Sequence, residues 1–147
     1  MTQVAAIQMT SGPDVAANLF EAGRLITQAA ESGAKLIVLP ENFCLMPMKD
    51  VDRLREVELV DDGHIQNFLA EAARRHKIWL VGGTVPLATE NPEKCRSACL
   101  VYNNLGERVA RYDKIHLFDV DLNNAEAYTE SATIEAGEDI VVVDTPV

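Results

Sequence analysis

The stretch KLIVLPENF, residues 35–43, decides the fold class because it joins a buried strand to a polar turn. Its continuous apolar run is typical of a strand that is covered on both faces. Pro40 cannot supply an amide hydrogen to a sheet, so we expect the strand to stop there. The strand would then deliver Glu41 to its carboxyl end, where small-molecule sites in α/β sheets open.

The segments before and after this strand alternate between strand and helix patterns. Residues 3–9, QVAAIQM, form a short apolar run that predicts a first strand. Apolar residues recur at steps of three and four from Asp14 onward, and again over residues 62–77, which predicts two amphipathic helices. Asp14 or Ser11 can cap the first helix, and Gly33 is placed to end it in a left-handed conformation.

Four further strands are predicted after the second helix. Residues 78–85 indicate a buried strand that contains a glycine pair. Residues 97–102 and 107–112 flank the turn NNLG and predict an antiparallel hairpin, and residues 140–143 predict a last strand. This order of elements predicts an α/β fold with a mixed sheet. No internal repeat or linker-like stretch indicates a second domain.

The composition excludes several classes of protein. The 147 residues are 48% hydrophobic and 24% charged, which fits a globular domain and not a disordered chain. Thirteen Lys and Arg against 23 Asp and Glu give a formal net charge of -10, so nucleic acid and anionic membranes would be repelled. No apolar run approaches the roughly 20 residues of a membrane helix, and the first residues lack the pattern of a secretion signal. We therefore expect a cytoplasmic protein.

Glu41 and Lys114 are the residues whose chemistry stands out in this pattern. A carboxylate at the mouth of a buried strand is placed to act as a general base, and its proton affinity rises with burial and falls near a cation. Lys114 follows the second hairpin strand, within RYDKIHLF, and could be that cation or could stabilise an oxyanion. The alternative is that both residues are ordinary loop and surface charges.

Several motifs extend over nearly all of the chain: VAAIQM, LIVLPENF, VGGT, the NNLGE hairpin and RYDKIHLFDVD. Together they resemble the carbon-nitrogen hydrolases, also called the nitrilase superfamily. The resemblance is closest to the amidases that act on the amides of small oxo acids and on deaminated glutathione. It implies an α-β-β-α sandwich of the nitrilase type, in which two similar halves meet sheet to sheet and about half is present in residues 1–147.

The resemblance also implies roles for individual residues. Glu41, in the PEN motif, matches the general base of the family, and Lys114, in DKIHLF, matches the lysine that stabilises the tetrahedral intermediate. Glu130, which precedes Ser131, matches a second glutamate that orients the site, and Glu126 is a weaker match for it. For Glu130 the alternative is an ordinary surface carboxylate. The implied substrate is a small carboxamide, and no metal or organic cofactor is implied.

The chain departs from the family pattern at the nucleophile. The cysteine of the family follows a strand that would come after Val147, so we expect residues 1–147 to be the N-terminal part of a truncated hydrolase domain that is inactive alone. Cys44, Cys95 and Cys99 do not occupy that position, and a reactive thiolate needs a base and cationic surroundings. For the intact protein we expect a homo-oligomer.

Other classes of function stay open at this point. The chain could be a non-catalytic α/β interaction module, a pseudoenzyme that pairs through an exposed sheet face, or it could be an unrelated doubly wound small-molecule binder. His116, Asp119 and Asp121 could ligate a metal, but no fourth ligand stands at a recognisable spacing. If Glu41 and Lys114 lay far apart in space, the hypothesis of a shared site would fail.

Overall fold

The computed structural model describes residues 2–121 and 127–146, and it has one layer of helices packed on a mixed sheet. The main sheet contains β1 (Gln3–Ala6), β2 (Ala34–Val38), β3 (Trp79–Val81), β4 (Val85–Ala88), β5 (Cys95–Tyr102) and β6 (Arg108–Asp113). A separate two-stranded sheet contains β7 (Asp119–Asp121) and β8 (Ala127–Thr129). The helices are α1 (Val15–Glu31) and α2 (His64–His76), with 3-10 turns at Asp50–Glu56 and Glu130–Ala132. The predicted α/β class with a mixed sheet is confirmed.

Both predicted helices are present, and α1 has the predicted ends. The Asp14 carboxylate accepts a hydrogen bond from the amide of Ala17 at 3.0 Å, so Asp14 is the N-terminal cap. Ser11, the other candidate, instead donates its hydroxyl to the carbonyl of Phe43 at 3.0 Å. Gly33 follows the last turn with a φ of 97°, as predicted. Within the described residues, neither helix is long and apolar enough to cross a membrane.

The parallel part of the sheet comes from two β-α-β connections. β1 pairs in parallel with β2, and β2 pairs in parallel with β3, while α1 and α2 form the two crossovers. The predicted hairpin is also present, since β5 and β6 are antiparallel and are joined by a turn that ends at Gly106 with a φ of 81°. The first strand is shorter than predicted and ends at Ala6.

The single strand predicted over residues 78–85 is divided into β3 and β4. Both strands pair with the same edge of β5, because β6 occupies its other edge, and residues 82–84 interrupt the pairing between them. Gly83 has a φ of 55°, and a β carbon at this position would lie 2.1 Å from the carbonyl oxygen of Pro40. The glycine therefore allows the chain that leaves β2 to pass directly against the interruption.

The strand predicted at residues 140–143 is wrong. The structure describes these residues outside the sheets, with Ile140 88% exposed. A strand needs a neighbouring strand edge to receive its amides and carbonyls. The residues just before this segment do contact the sheet. The amide of Glu135 donates to the carbonyl of Cys95, and the amide of Gly137 donates to the carbonyl of Lys114. An apolar sequence predicted the strand, but in the described structure no ladder or bridge pairs residues 140–143 with another strand.

The hydrophobic core lies between the helices and one face of the main sheet, which we call the covered face. The side chains that form its centre are completely buried: Ile26, Ile37, Leu69, Leu80 and Leu100. Alternate positions of the same strands project from the other face, which we call the open face. There Leu36, Val38 and Val81 are only partly buried, and Val4 is exposed. The helices α1 and α2 therefore shield one face of the sheet from solvent.

Candidate active site

Three predicted side chains meet at the ammonium group of Lys114. Lys114 Nζ lies 2.9 Å from Glu41 Oε1 and 2.9 Å from Glu130 Oε2. Glu41 is 73 residues before Lys114 in the chain, and Glu130 is 16 residues after it. The structure thus brings the three residues into one ion cluster, while their catalytic roles stay predictions. Glu126, the weaker candidate, lies outside the described residues.

Glu41 is positioned by the turn that follows β2. The amide of Leu39 still pairs with the carbonyl of Val81 at 2.9 Å, and Pro40 then ends the ladder. Asn42 adopts a φ of 56°, and its amide donates to the Thr84 hydroxyl at 2.8 Å. The turn is therefore tied to the interruption between β3 and β4. The Glu41 side chain remains 51% exposed, so solvent reaches its carboxylate.

Lys114 directly follows β6, and hydrogen bonds hold its backbone on both sides. Its amide donates to the carbonyl of Ser97, and its carbonyl accepts from the amide of Gly137. The next amide, that of Ile115, donates to the Tyr112 hydroxyl at 3.2 Å. This backbone is therefore anchored to β5, to β6 and to the segment after the second 3-10 turn.

The side chain of Lys114 projects from the open face. Arg111 lies opposite Leu100, which belongs to the core of the covered face. Tyr112 and Lys114 occupy the alternate positions and therefore face the other way. The ion cluster is consequently on the side of the sheet away from α1 and α2.

Glu130 and the residue after it are held by Phe118, which precedes β7, and by Asp119, the first residue of β7. Its Oε2 atom accepts from the amide of Phe118 at 2.7 Å, and its own amide donates to the carbonyl of Phe118 at 3.3 Å. The next amide, of Ser131, donates to Asp119 Oδ1 at 3.0 Å. These contacts orient the Glu130 carboxylate, which is mostly buried, toward Lys114. The structure thus places the Glu130 carboxylate in contact with Lys114, while its orienting role stays a prediction.

Asp119, one of the candidate metal ligands, has a structural contact in the turn that carries Glu130. Hydrogen bonds from Ser131 hold the pKa of the Asp119 carboxyl below its usual value. Asp119 thus supports the turn that carries Glu130. In the described part of the chain, no three His, Cys, Asp or Glu side chains are grouped so that they could hold a metal ion.

The two carboxylates also set the charge state of Lys114. Burial acts to lower the pKa of this lysine, but the hydrogen bonds to Glu41 and Glu130 and their negative charges more than offset it, so the pKa is raised. Lys114 therefore stays protonated at neutral pH. An ammonium group has three hydrogens, and two of them point at the two glutamates. The third has no partner among the described residues and can meet a developing oxyanion.

The three cysteines are buried or half-buried thiols. Burial raises the pKa of Cys44 to about 12 and that of Cys95 to about 11, and it also raises the pKa of Cys99. The Cys44 thiol donates to the carbonyl of Thr84 at 3.4 Å. Thiols with raised pKa values carry little thiolate at neutral pH. None of the three therefore has the environment of an activated nucleophile.

Two residues that support the site were not identified from the sequence. Thr84 binds the turn after Glu41, and Tyr112 binds the backbone after Lys114. Each acts through a hydrogen bond to a main-chain amide, and this kind of contact leaves no spacing rule in the sequence. The position of Thr84 directly after the glycine pair was the one available signal.

Comparison with known proteins identifies the family. Residues 3–147 match the family model for carbon-nitrogen hydrolases. The chain belongs to the carbon-nitrogen hydrolases. The deaminated glutathione amidase of Yersinia enterocolitica is 38% identical to this chain over 146 residues, which cover 98% of this chain and 50% of that protein. Nitrilase homolog 2 of Dictyostelium discoideum is 37% identical over 140 residues, which cover 95% of this chain and 42% of that protein.

A solved carbon-nitrogen hydrolase structure also matches the fold. Nit3 of Saccharomyces cerevisiae, a member of branch 10 of the nitrilase superfamily, superimposes with a TM-score of 0.81 and 31% sequence identity. The match covers 97% of this chain and 51% of the Nit3 chain. The family predicted from the sequence motifs is confirmed. The chain spans about half the length of the curated relatives it matches.

Proposed function

We propose that the intact protein is an amidase that hydrolyses the carbon-nitrogen bond of a small carboxamide at a site built on Glu41, Lys114 and Glu130. The observation that carries this proposal is the Lys114 ammonium between two carboxylates at distances of 2.9 Å. Relatives named deaminated glutathione amidase and omega-amidase support the substrate class. The proposed substrates are therefore the amide of a small oxo acid or deaminated glutathione.

The proposed nucleophile is a cysteine that follows Val147. Two observations support this assignment: the three thiols of residues 1–147 have raised pKa values, and the curated relatives are about twice as long as this chain. Residues 1–147 are then the N-terminal part of one hydrolase domain. Their open face, from which Lys114 projects, is where that cysteine would approach the ion cluster.

The first half of the proposed reaction forms a thioester. The Glu41 carboxylate takes the thiol proton, and the sulfur attacks the carboxamide carbon as the carbonyl π electrons move to oxygen. Lys114 donates a hydrogen bond through its third hydrogen to this oxyanion and keeps its proton. When the carbonyl re-forms, the carbon-nitrogen bond breaks, and the proton held by Glu41 passes to the departing nitrogen, so ammonia leaves.

The second half releases the acid. Glu41, again a carboxylate, takes a proton from water, and the hydroxide adds to the thioester carbon. Lys114 meets the second oxyanion in the same way. The carbon-sulfur bond then breaks, the sulfur recovers the proton from Glu41, and the carboxylic acid departs. The site returns to its starting state without an oxidant or a reductant.

Glu130 has the role of an orienting residue in this scheme. Its Oε1 atom accepts a hydrogen bond from Lys114, and its Oε2 atom accepts one from the amide of Phe118. The ammonium group is therefore held in place before the substrate arrives. A preorganised donor of this kind stabilises a transition state without reorganising during the reaction. The raised pKa of Lys114 keeps the donor charged.

The proposal is tested by ammonia release from small primary amides and, for deaminated glutathione, by release of the amine that its substituted amide yields on hydrolysis. We expect turnover by the longer protein that includes the residues after Val147, loss of turnover in its Glu41→Gln variant, and no release above background by residues 1–147 alone. Cys44→Ala in the longer protein is the matched control and should retain turnover.

Two results would contradict the proposal in different ways. If residues 1–147 alone turned over an amide, and this activity survived Cys44→Ala but disappeared with Glu41→Gln, the assignment of the nucleophile would be wrong. If the longer protein folded but released no ammonia from any amide, the alternative of a non-catalytic interaction module or pseudoenzyme would be favoured.

A further inference from the structure

Glu41 is the least supported member of the ion cluster. Within the described residues, neither its main-chain amide nor its carbonyl forms a hydrogen bond, whereas the main chains of Lys114 and Glu130 both do. Its side chain is 51% exposed, against 23% for Lys114 and 16% for Glu130, so packing holds it least. The position of the Glu41 carboxylate therefore depends on the residues that shape its turn.

The Thr84 hydroxyl holds the peptide group that directly follows Glu41. The amide of Asn42 belongs to this peptide group and donates to Thr84 Oγ1 at 2.8 Å. Asn42 has a φ of 56°, a left-handed conformation that is uncommon for residues other than glycine. Such a conformation persists where the surrounding structure holds it. The hydrogen bond to Thr84 therefore stabilises the conformation in which the turn presents Glu41.

Thr84 is itself carried by the main sheet. It lies between β3 and β4, where the amide of Gly82 donates to the carbonyl of Leu100 at 2.8 Å and the side chain of Val85 is completely buried. The carbonyl of Thr84 accepts from the Cys44 thiol at 3.4 Å. Groups attached to a packed sheet are placed more precisely than groups on a loop. The hydroxyl thus ties the exposed turn to a rigid part of the fold.

We propose that Thr84 is a positioning residue of the amidase, whose hydroxyl oxygen keeps the Glu41 carboxylate within reach of the protons that it transfers. This inference rests on the proposed function and deepens it. A general base must lie within hydrogen-bond distance of its proton donor, so a small displacement of the turn lowers the rate. In the proposed scheme Glu41 transfers protons and does not bind the amide. Loss of the Thr84 oxygen should therefore lower kcat and leave KM largely unchanged.

The test measures kcat and KM of the longer protein for ammonia release from the small primary amide that the wild-type protein hydrolyses fastest. Thr84→Val removes the hydroxyl and keeps the branched shape. It should lower kcat about tenfold, the ratio that corresponds to the free energy of one hydrogen bond. Thr84→Ser keeps the oxygen and should retain most of kcat. If Thr84→Val does not fold, Thr84→Ala removes the same oxygen, and the same decrease is expected.

A matched control separates positioning from a general loss of stability. Thr27, on α1, is half-buried like Thr84, and its hydroxyl donates to the carbonyl of Gly23 at 2.8 Å. Thr27→Val should lower the thermal unfolding midpoint, because a hydrogen bond is lost, but should leave kcat unchanged. A decrease of kcat in Thr27→Val equal to that in Thr84→Val would contradict the inference.

A double-mutant cycle shows whether Thr84 acts through Glu41. Glu41→Asp withdraws the carboxylate by one methylene, so the base is already displaced in this variant. In the Glu41→Asp background, Thr84→Val should lower kcat by a smaller factor than in the wild-type protein, because residues that act through one another are not additive. The same factor in both backgrounds would mean that the two residues act independently, and the inference would be wrong.

The possible results separate the inference from the proposed function. If ammonia is released and Glu41→Gln abolishes the release, but Thr84→Val has the kcat of the wild-type protein, the inference is wrong and the amidase assignment stands. If the folded longer protein turns over no amide, both fail together. A decrease of kcat that appears in Thr84→Val, is absent in Thr84→Ser and is smaller in the Glu41→Asp background supports the inference.

Discussion

On the covered face of the main sheet, Ile37 and Leu80 are completely buried under α1 and α2, whereas on the open face the neighbouring Leu36 and Val81 are only partly buried. The covered face contributes the apolar burial that stabilises the fold. The open face carries Lys114 and its two carboxylate partners. Since opposite faces of one sheet carry stability and the candidate chemistry, a substitution on one face should change one property and largely spare the other.

The largest expected effect is on the open face. Lys114→Met in the longer protein should reduce the rate of ammonia release by about 10³-fold. Removal of one oxyanion donor lowers kcat by a factor on the order of 10² to 10³, and here a charge is lost as well. The thermal unfolding midpoint should change little. Lys35→Met, at an exposed lysine of β2, is the matched control and should retain activity. An unchanged rate in Lys114→Met would show that the oxyanion is stabilised elsewhere.

A pair of leucines compares the two faces directly. Leu80→Ala, on the covered face, should lower the free energy of unfolding of residues 1–147 by about 3 kcal/mol, because it leaves a cavity in the core. Leu36→Ala, in the adjacent strand on the open face, should cost about 1 kcal/mol, since its side chain is already partly hydrated. Urea titrations provide both values. Equal losses would mean that the open face is covered in solution.

The next largest effect on stability is expected at Gly83, which packs against the turn that carries Glu41. Gly83→Ala would place a β carbon 2.1 Å from the carbonyl oxygen of Pro40 at a φ of 55°, so the turn that carries Glu41 must move. We expect a loss of about 2 kcal/mol in unfolding free energy from strain and overpacking, with reduced turnover. Gly12→Ala, where nothing lies within 4 Å of the added carbon, is the control. Similar results for both glycines would contradict the importance of this close approach.

The smallest expected effect is a loss of unfolding free energy at alkaline pH, caused by the buried thiol of Cys44. Cys44 belongs to the core cluster and keeps its proton to a pKa of about 12, whereas the unfolded thiol ionises near 8.5. The folded state therefore binds more protons above that value, so stability present below pH 8.5 is lost as the pH rises. By pH 9.5 the loss should be about 1.4 kcal/mol.

The control for this prediction is Cys44→Ala, whose stability should fall less steeply between pH 7.5 and 9.5. Urea unfolding at several pH values measures both slopes. Parallel slopes in the two proteins would indicate that the Cys44 thiol is hydrated or ionised in the folded state.

Elements with a strong local pattern were predicted well from the amino-acid sequence. The apolar run at residues 35–40, the periodic apolar positions of α1 and the turn at residues 103–106 all depend on neighbouring residues, and all three were found as predicted. The pattern failed where the outcome depended on distant neighbours. Residues 140–143 have a strand-like composition but pair with no strand in the described structure. The sheet of β7 and β8 has strands of three residues, too short to show alternation.

The candidate site divides in the same way. Glu41 could be placed at the end of a buried strand from the apolar run and Pro40 alone, and the PEN and DKIHLF motifs indicated the partners through family resemblance. The supporting contacts from Thr84, Tyr112 and the amide of Phe118 were not predicted, because each joins a side chain to a main-chain atom at a position that no sequence spacing defines.

Local order of apolar, capping and turn residues was thus sufficient to define the helices, most of the strands and the α/β class, since these depend on interactions within a few residues. The meeting of Lys114 with Glu41 and Glu130 required the packed chain, because the three groups are 73 and 16 residues apart and converge only when β2, β6 and the second 3-10 turn are assembled. The same packing sets the raised pKa of Lys114, since charges act through space and not along the sequence.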